Sequence, residues 1–388
     1  MGFLVEKILV VKEVNGAIPA NPMCIEIQSE SFDLKETQSS EDINLFGAGG
    51  DASPKVFGVS SFGGGLGIVA STDNFPILCH HTIGDATISD ATTEIWGSSV
   101  DYVVGDLVNH SDGKHTLSCY KGGTSDANEP VLDGNPSVDR GTKIIDGGAT
   151  WIAMPFLKSY IMERKQQLSS FAIEITQKDE NGNFFYKRFE NVYSNSLAMA
   201  MTGSTISLKM SADFVSAKAD DSESNTWTSN LLAMTGASII SLDKEFYGSE
   251  DCEVKFDGNA LCGTESINLD MVRNVTVMDL INKCKTTDIG ITGITGNMNR
   301  VFNTEDYKTY KEHTDFEVKF EFVKPNGCSA KFTYPFVKPS LADSAVKLDG
   351  QSFISPELSA YGKGDIQSVS AVIIAPALVD DTGNIYTY

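Results

Sequence analysis

The sequence predicts a mainly β protein made of two tandem β-rich copies, each with a short helix, and a small β-rich unit inserted into the first copy. Three observations carry this. Short alternating segments recur, among them "CIEIQ" at 24–28, "FAIEITQ" at 171–177, "STISLKMSADF" at 204–214, "FEVKFEFV" at 316–323 and "VSAVIIAPA" at 369–377, separated by turn signals such as "NGN" at 181–183 and "PNG" at 325–327. Residues 58–82 align without gaps on 290–314, matching Gly58/Gly290, Gly64/Gly296, Val69/Val301, Thr72/Thr304, His81/His313 and Thr82/Thr314. At a second offset, Phe171 matches Phe316, Asn181-Gly182 matches Asn326-Gly327 and Val192 matches Val337. The offsets are 232 and 145, so the first copy holds 87 extra residues between its helix and its Asn-Gly hairpin, at roughly 84–168.

Along the chain, residues 35–55, "KETQSSEDINLFGAGGDASPK", are polar and Gly-rich and read as a long mobile loop. The segment "SFGGGLGIVASTDNFPILCHHTIG" at 61–84 joins three glycines to Cys79, His80 and His81. A phosphate loop needs a helix opening directly from the glycines. Here Leu66, Ile68 and Ala70 continue a strand, and the helix signal starts only at Thr72-Asp73, where Thr72 or Asp73 reads as the cap, with Phe75 and Leu78 on its apolar face. Adjacent Cys79, His80 and His81 point different ways on a helix and cannot converge on one ion. The glycines read as a strand where backbone approaches closely or bulges. "KADDSESNT" at 218–226 reads as a linker.

Composition excludes several classes. The 388 residues carry 52 acidic and 30 basic side chains, a net charge of -22, which repels nucleic acid and anionic membrane. Seven scattered cysteines without CxxC spacing indicate neither zinc site nor disulfide framework. The start "MGFLVEKILVV" is short and acidic for a signal peptide, and no apolar run reaches membrane-spanning length, so the expectation is a soluble protein, cytosolic where it is made, with no membrane partner. No nucleophile elbow, Ser-His-Asp spacing or His-rich metal motif is visible, so no enzyme activity, catalytic residue, metal or cofactor is assigned.

Within the insertion, Trp96, Tyr102, Gly105, Asp106, Val108, Cys119, Gly123, Thr124, Ser125, Glu129, Pro130, Asp146, Gly147, Thr150 and Trp151 form a pattern that resembles small carbohydrate-binding-like modules of phage structural proteins and chitinases. Leu117 stands where an aromatic residue is usual, and Val131-Leu132 follows Glu-Pro where a Trp is expected. Sugar binding in such modules depends on exposed aromatic faces. With those faces lost, the leading reading is a small surface knob with Trp96 and Trp151 in its own core, and the resemblance makes Tyr102, Tyr120 and Trp96 the candidate contacts if a surface glycan is bound.

The remainder resembles the tail tube proteins of long-tailed bacteriophages, in the form with two tandem tube domains. The residues that carry this are "SESFDLKETQSSEDI" at 29–43, "VFGVSSFGGGLGIVASTDNFPILCHHTIG" at 56–84, "KSYIMERKQ" at 158–166, "FFYKRFENVYSNSLAMAMTGSTISLKMSADF" at 184–214 and "VKFDGNALCGTESINLDMVRNVTV" at 254–277. The resemblance implies two β-sandwich domains with flanking helices: a first tube domain over 1–84 and 158–217, an inserted module over 85–157, a linker over 218–237 and a second tube domain over 238–388. It implies a subunit of a virion tail, whose partners are further copies of itself, the tape-measure protein, and the tail terminator and tail tip proteins, while DNA passes through without specific binding.

Six tube domains per ring make the expected assembly a homotrimer with pseudo-sixfold symmetry. The module is expected to project outward and to be dispensable for assembly. Residues 84–157 hold a net charge of -7 from eleven acidic and four basic side chains, leaving -15 for the rest, and that excess is expected to line the channel. The alternative function is a glycan-binding adhesin or tail decoration acting through the module.

Overall fold

The computed structural model describes residues 4–42, 55–166, 168–202, 207–219, 230–242, 245–260, 264–279, 285–290, 292–301, 308, 310–312, 314–341 and 353–378. The protein is mainly β. Eight strands form its long sheet: β1 (Lys35–Asp42), β2 (Lys55–Val69), β3 (Phe184–Thr202), β4 (Lys209–Ala219), β5 (Thr264–Val272), β6 (Gly293–Val301), β7 (Ser329–Leu341) and β8 (Pro356–Ala360). Their spatial order is β1-β2-β4-β3-β5-β6-β8-β7, antiparallel throughout. The first four strands and the last four thus repeat one scheme. The seam between them is the β3–β5 pairing, from Ser196↔Val272 to Thr202↔Ser266.

The repeat extends to single residues. Phe171 pairs with Val192 and Ile173 with Phe189; 145 positions on, Phe316 pairs with Val337 and Val318 with Tyr334, and both ladders break register at the same step. The matched residues Val69 and Val301 each end their strand. Alternation then sorts the faces. Leu66, Ile68, Met210, Ala212, Leu197, Ile267, Leu269, Ile294, Met298 and Leu358 are buried in one core with residues of a second layer, such as Ile8, Val10, Ile173 and Ile175 from one half and Val318, Phe320, Phe332 and Ile373 from the other.

That second layer ties the halves together. Ser238–Ser241 pairs in parallel with Met23–Glu26, next to Leu4–Lys12 and Phe171–Lys178. Ser370–Pro376 pairs with Leu157–Glu163, whose other edge takes Thr87–Asp90. Residues 87–90 therefore belong to the main body rather than to the inserted unit, and residues 238–241 lie against the first copy.

Two loop expectations change. Lys35–Asp42 is a strand paired with Lys55–Gly63, and residues 43–54 of the expected loop lie outside the described residues. Lys218 and Ala219 of the expected linker end β4, residues 220–229 lie outside the described residues, and Leu231 is fully buried. Its amide N–H donates to both Glu174 carboxylate oxygens at 2.9 and 3.1 Å, and Arg188 holds that buried carboxylate at 2.9 Å.

The helix Asn74–Thr82 is buried along its whole length rather than flanking the sheet. Phe75 packs on Tyr247, Phe322 and Phe332, with ring centroids 5.3–5.8 Å apart, while His81 lies 4.3 Å from Phe171. One helix therefore fills the space between the two copies. Of its counterpart in the second copy, the described residues Lys308, Tyr310 and Lys311 are helical and Tyr310 is buried against Phe316.

Candidate functional site

The open edges of the long sheet are the first candidate. β1 pairs with β2 on one side, and no described strand is bonded along its other edge. The end of β7, Lys338–Leu341, pairs with β8 and has no described strand along its far side. These are the two edges that correspond, in the repeat, to β5 and β3, which pair with each other at the internal seam. A sheet edge presents unpaired amides and carbonyls to any strand that fits.

Correspondence of the ladders sets the register at that open joint. Leu341 faces Pro356 as Leu197 faces Ala212, and Glu36 faces Phe62 as Met271 faces Ile294. Since Leu197 pairs with Met271 at the seam, Leu341 of one chain corresponds to a partner of Glu36 in the next.

The solvent face of the long sheet is small and polar. Gly63, Gly65, Gly67, Ser211, Ala198, Ala200, Asn268, Thr295, Asn297 and Ser359 alternate with the buried set, and the described charges on or over this face are Glu30, Asp33, Asp213, Glu265, Asp270 and Glu357 against Lys35, Lys209 and Lys338. Six carboxylates against three lysines leave the described face with an acidic excess. Asp213 and Asp270 flank β3, and Asp213 accepts a hydrogen bond from Ser196 at 3.0 Å. Burial raises the pKa of Asp270, and the neighbouring Asp213 charge adds to it. A carboxyl whose folded pKa lies above its unfolded value loses stability as pH rises through that interval. Asp270→Asn should therefore raise the melting temperature at pH 7, and the gain should vanish below the ordinary carboxyl range of about 4; melting curves at pH 7 and pH 3 check this.

The three glycines are read by their neighbours. Gly64 has φ +142, and a Cβ there would lie 2.5 Å from the Asp33 carbonyl oxygen; a Cβ on Gly65 would meet Asp213 Oδ1 at 2.6 Å. They permit close approach of strand and turn, as expected, with no helix opening from them. His80 and His81 are buried, and burial pushes His80 down to about 3, so both are neutral packing groups. Cys79 is buried too, and burial raises its thiol pKa. Cys24, Cys119 and Cys328 are also buried free thiols.

The inserted segment forms a four-stranded sheet, from Leu107–Asn109 through His115–Lys121 and Ala149–Pro155 to Lys143–Asp146. Its core holds Tyr102, Val108, Leu117, Cys119 and Trp151, with Trp96 packed against them. Trp96 and Trp151 both donate their indole N–H to Asp146 Oδ2 at 2.8 Å, and the Tyr102 hydroxyl accepts from the Gly97 amide at 2.8 Å. Two of the three candidate glycan contacts, Tyr102 and Trp96, therefore serve the interior. Tyr120 alone is exposed, with the Lys143 ammonium 3.7 Å from its ring centre, and it lines a cleft of about 530 Å³ between the segment and the hairpin turn that bears Lys324, Pro325 and Gly327.

The segment is fastened to both copies. Ser118 Oγ donates to the Pro325 carbonyl at 3.0 Å, and Leu107 packs so near Gly327 that a Cβ there would lie 2.5 Å from it. Arg140 donates to both Asp73 oxygens at 3.1 and 3.0 Å and to Thr72 Oγ1 at 3.0 Å. The expected helix cap is thereby reassigned: Asp73 makes no side-chain cap bond, while Asn74 Oδ1 accepts from the Ser71 amide at 2.8 Å and Ser71 Oγ accepts from the Asn74 amide at 3.3 Å. Breaking a largely buried ion pair from one side leaves a charge uncompensated and costs about 3–5 kcal/mol. Arg140→Ala should lose that much in urea unfolding, and adding Asp73→Asn should recover part of it. The module is accordingly not a free knob, and its deletion without Asp73→Asn should destabilise the main body.

Among the described residues, no helix is long and apolar enough to cross a membrane. No protein-family model matches the chain, and no curated protein matches it.

Proposed function

We propose that this chain is a structural subunit of a bacteriophage tail tube, three copies closing into a ring and rings stacking around a channel that holds the tape-measure protein and conducts DNA. One observation carries the reading: the halves repeat a single pairing scheme, joined by a seam whose two complementary edges recur, open, at the ends of the sheet. Pairing the end of β7 with β1 of the next chain repeats the seam head to tail, and a heterologous contact of that kind closes into a ring.

Size selects the number of copies. Eight strands per chain give twenty-four in three chains. With strands about 4.8 Å apart and tilted by about 40°, such a barrel has a wall radius of about 25 Å. That leaves a channel wide enough for a nucleic-acid duplex with clearance. Six whole chains would double it.

The small, acidic face suits such a wall. It offers no cationic field to hold phosphates through counterion release. The same register favours the joint: Asp213 and Asp270 flank the internal seam, whereas the corresponding flanks of the joint between chains are Glu357 and Lys35 of the neighbour. Like charges at the seam within the chain thus become opposite charges between chains.

Negative-stain microscopy of the purified protein tests the reading. Hollow tubes or stacked rings are expected on concentration. A protein that stays monomeric and binds glycans through the Tyr120 cleft would replace it with the adhesin reading.

A further inference from the structure

The hairpin between Leu107–Asn109 and His115–Lys121 brings together groups whose hydrogen bonds do not balance. His110 and His115 face each other across its mouth, the His110 amide donating to the His115 carbonyl at 3.0 Å, and Asp112 sits in the turn. Ligating atoms of His110, Asp112 and His115 all lie within 4.8 Å of one another.

The proton inventory is short. The Pro130 carbonyl can only accept, so His110 Nε2, 2.9 Å away, carries that ring's proton. Nδ1 of His110 is then a bare lone pair; it accepts weakly from the Asp112 amide at 3.3 Å and faces Asp112 Oδ1 at 3.2 Å. His115, fully buried, stands between two carboxylates: Nδ1 is 2.5 Å from Asp112 Oδ2, and Nε2 is 3.3 Å from Asp139 Oδ2, with neither of the latter two atoms in a hydrogen bond. A neutral imidazole has one proton for these two acceptors. Asp112 Oδ1 accepts from the Lys114 and His115 amides at 2.8 and 3.2 Å, yet His110 Nδ1 and whichever His115 nitrogen lacks the proton are left as lone pairs facing carboxylate oxygens.

We propose that His110 Nδ1, His115 Nδ1 and the Asp112 carboxylate bind one divalent transition-metal ion of the zinc class. The ion supplies the missing positive charge, and each ring then turns its remaining N–H outward, His110 to the Pro130 carbonyl and His115 to Asp139. Metal-bound histidines are characteristically supported in this way by a carbonyl or carboxylate on the far nitrogen. Bonds of about 2.0–2.1 Å in a tetrahedral site set ligand atoms about 3.3 Å apart, so accommodating the ion takes movements on the order of 1 Å. Three protein ligands leave a fourth position for water.

The experiment uses the full chain, stripped with a chelator and titrated first with Co²⁺ and then with Zn²⁺. Expected are one Co²⁺ per chain, the visible absorption of a four-coordinate ion, and its displacement by Zn²⁺. His110→Gln, at the partly exposed rim where folding is least disturbed, should abolish the absorption. Asp139→Asn, a positioning change, should keep the stoichiometry and weaken binding by about 10–100-fold. Absence of the band from the folded wild-type chain would overturn the proposal. Co²⁺ uptake undiminished in His110→Gln would overturn it equally, assigning the ion to surface carboxylates.

Discussion

A chain carrying Leu341→Cys and Glu36→Cys should be converted on mild oxidation into covalent trimers, with most of the protein leaving the monomer band on a non-reducing gel. The expectation rests on ladder correspondence alone: Leu341 occupies the place of Leu197 and Glu36 that of Met271, and those two pair directly at the seam. Directly opposed residues in an antiparallel pair have Cα atoms about 4.5–5.5 Å apart, inside the range a disulfide needs. A control with Leu341→Cys and Gln38→Cys moves the second thiol two residues along the strand. Its diagonal separation of about 7–8 Å should leave it largely uncrosslinked. The test uses a background with Cys252, Cys262 and Cys284 changed to Ser, since Cys24, Cys79, Cys119 and Cys328 are buried. Equal crosslinking in both pairs would mean that the register, or the joint, is wrong.

The second large effect concerns passage through the channel. Asp213→Lys together with Asp270→Lys changes the described face from six carboxylates and three lysines to four carboxylates and five lysines, from -3 to +1 per chain. Asp213 is exposed and Asp270 half-exposed, and their only described support is the Ser196 hydroxyl on Asp213, so rings should still form. Each added ammonium can hold a phosphate and release a counterion, which makes retention steeply salt-dependent. Particles bearing these tubes should eject DNA much more slowly at low salt, with partial recovery as salt rises and the Debye length falls below about 8 Å. Unchanged ejection kinetics in intact particles would show that this face does not meet the genome.

The duplication was legible because matched residues became matched pairings: Phe171 with Val192, Phe316 with Val337. The glycines were legible for a similar reason, since their reading needed only the strand pattern around them. Other features were hidden by partners distant in sequence. Asp73 looked like a helix cap because Arg140, 67 residues away, is invisible to local reasoning. "KETQSSED" lacks apolar alternation and read as loop, yet pairing with β2 on one side suffices to hold it as an edge strand. Trp96 and Tyr102 were open between glycan contact and core packing, and only their distant partners Asp146 and Gly97 decide for packing. The spacing His110-x-Asp112-x-x-His115 around an Asp-Gly turn was available and would have flagged the hairpin cluster, had ligands been sought across a turn rather than along a helix.

The central claim is that the chain's own seam is the template for the joint between chains. A cryo-electron microscopy map of the assembled particle tests it most directly. The account predicts rings of three chains with a continuous wall of twenty-four strands, eight from each, Leu341 of each chain opposite Glu36 of the next, and the inserted segments on the outside. Rings of six whole chains, or a wall in which β1 and the end of β7 are covered by anything other than each other, would contradict it.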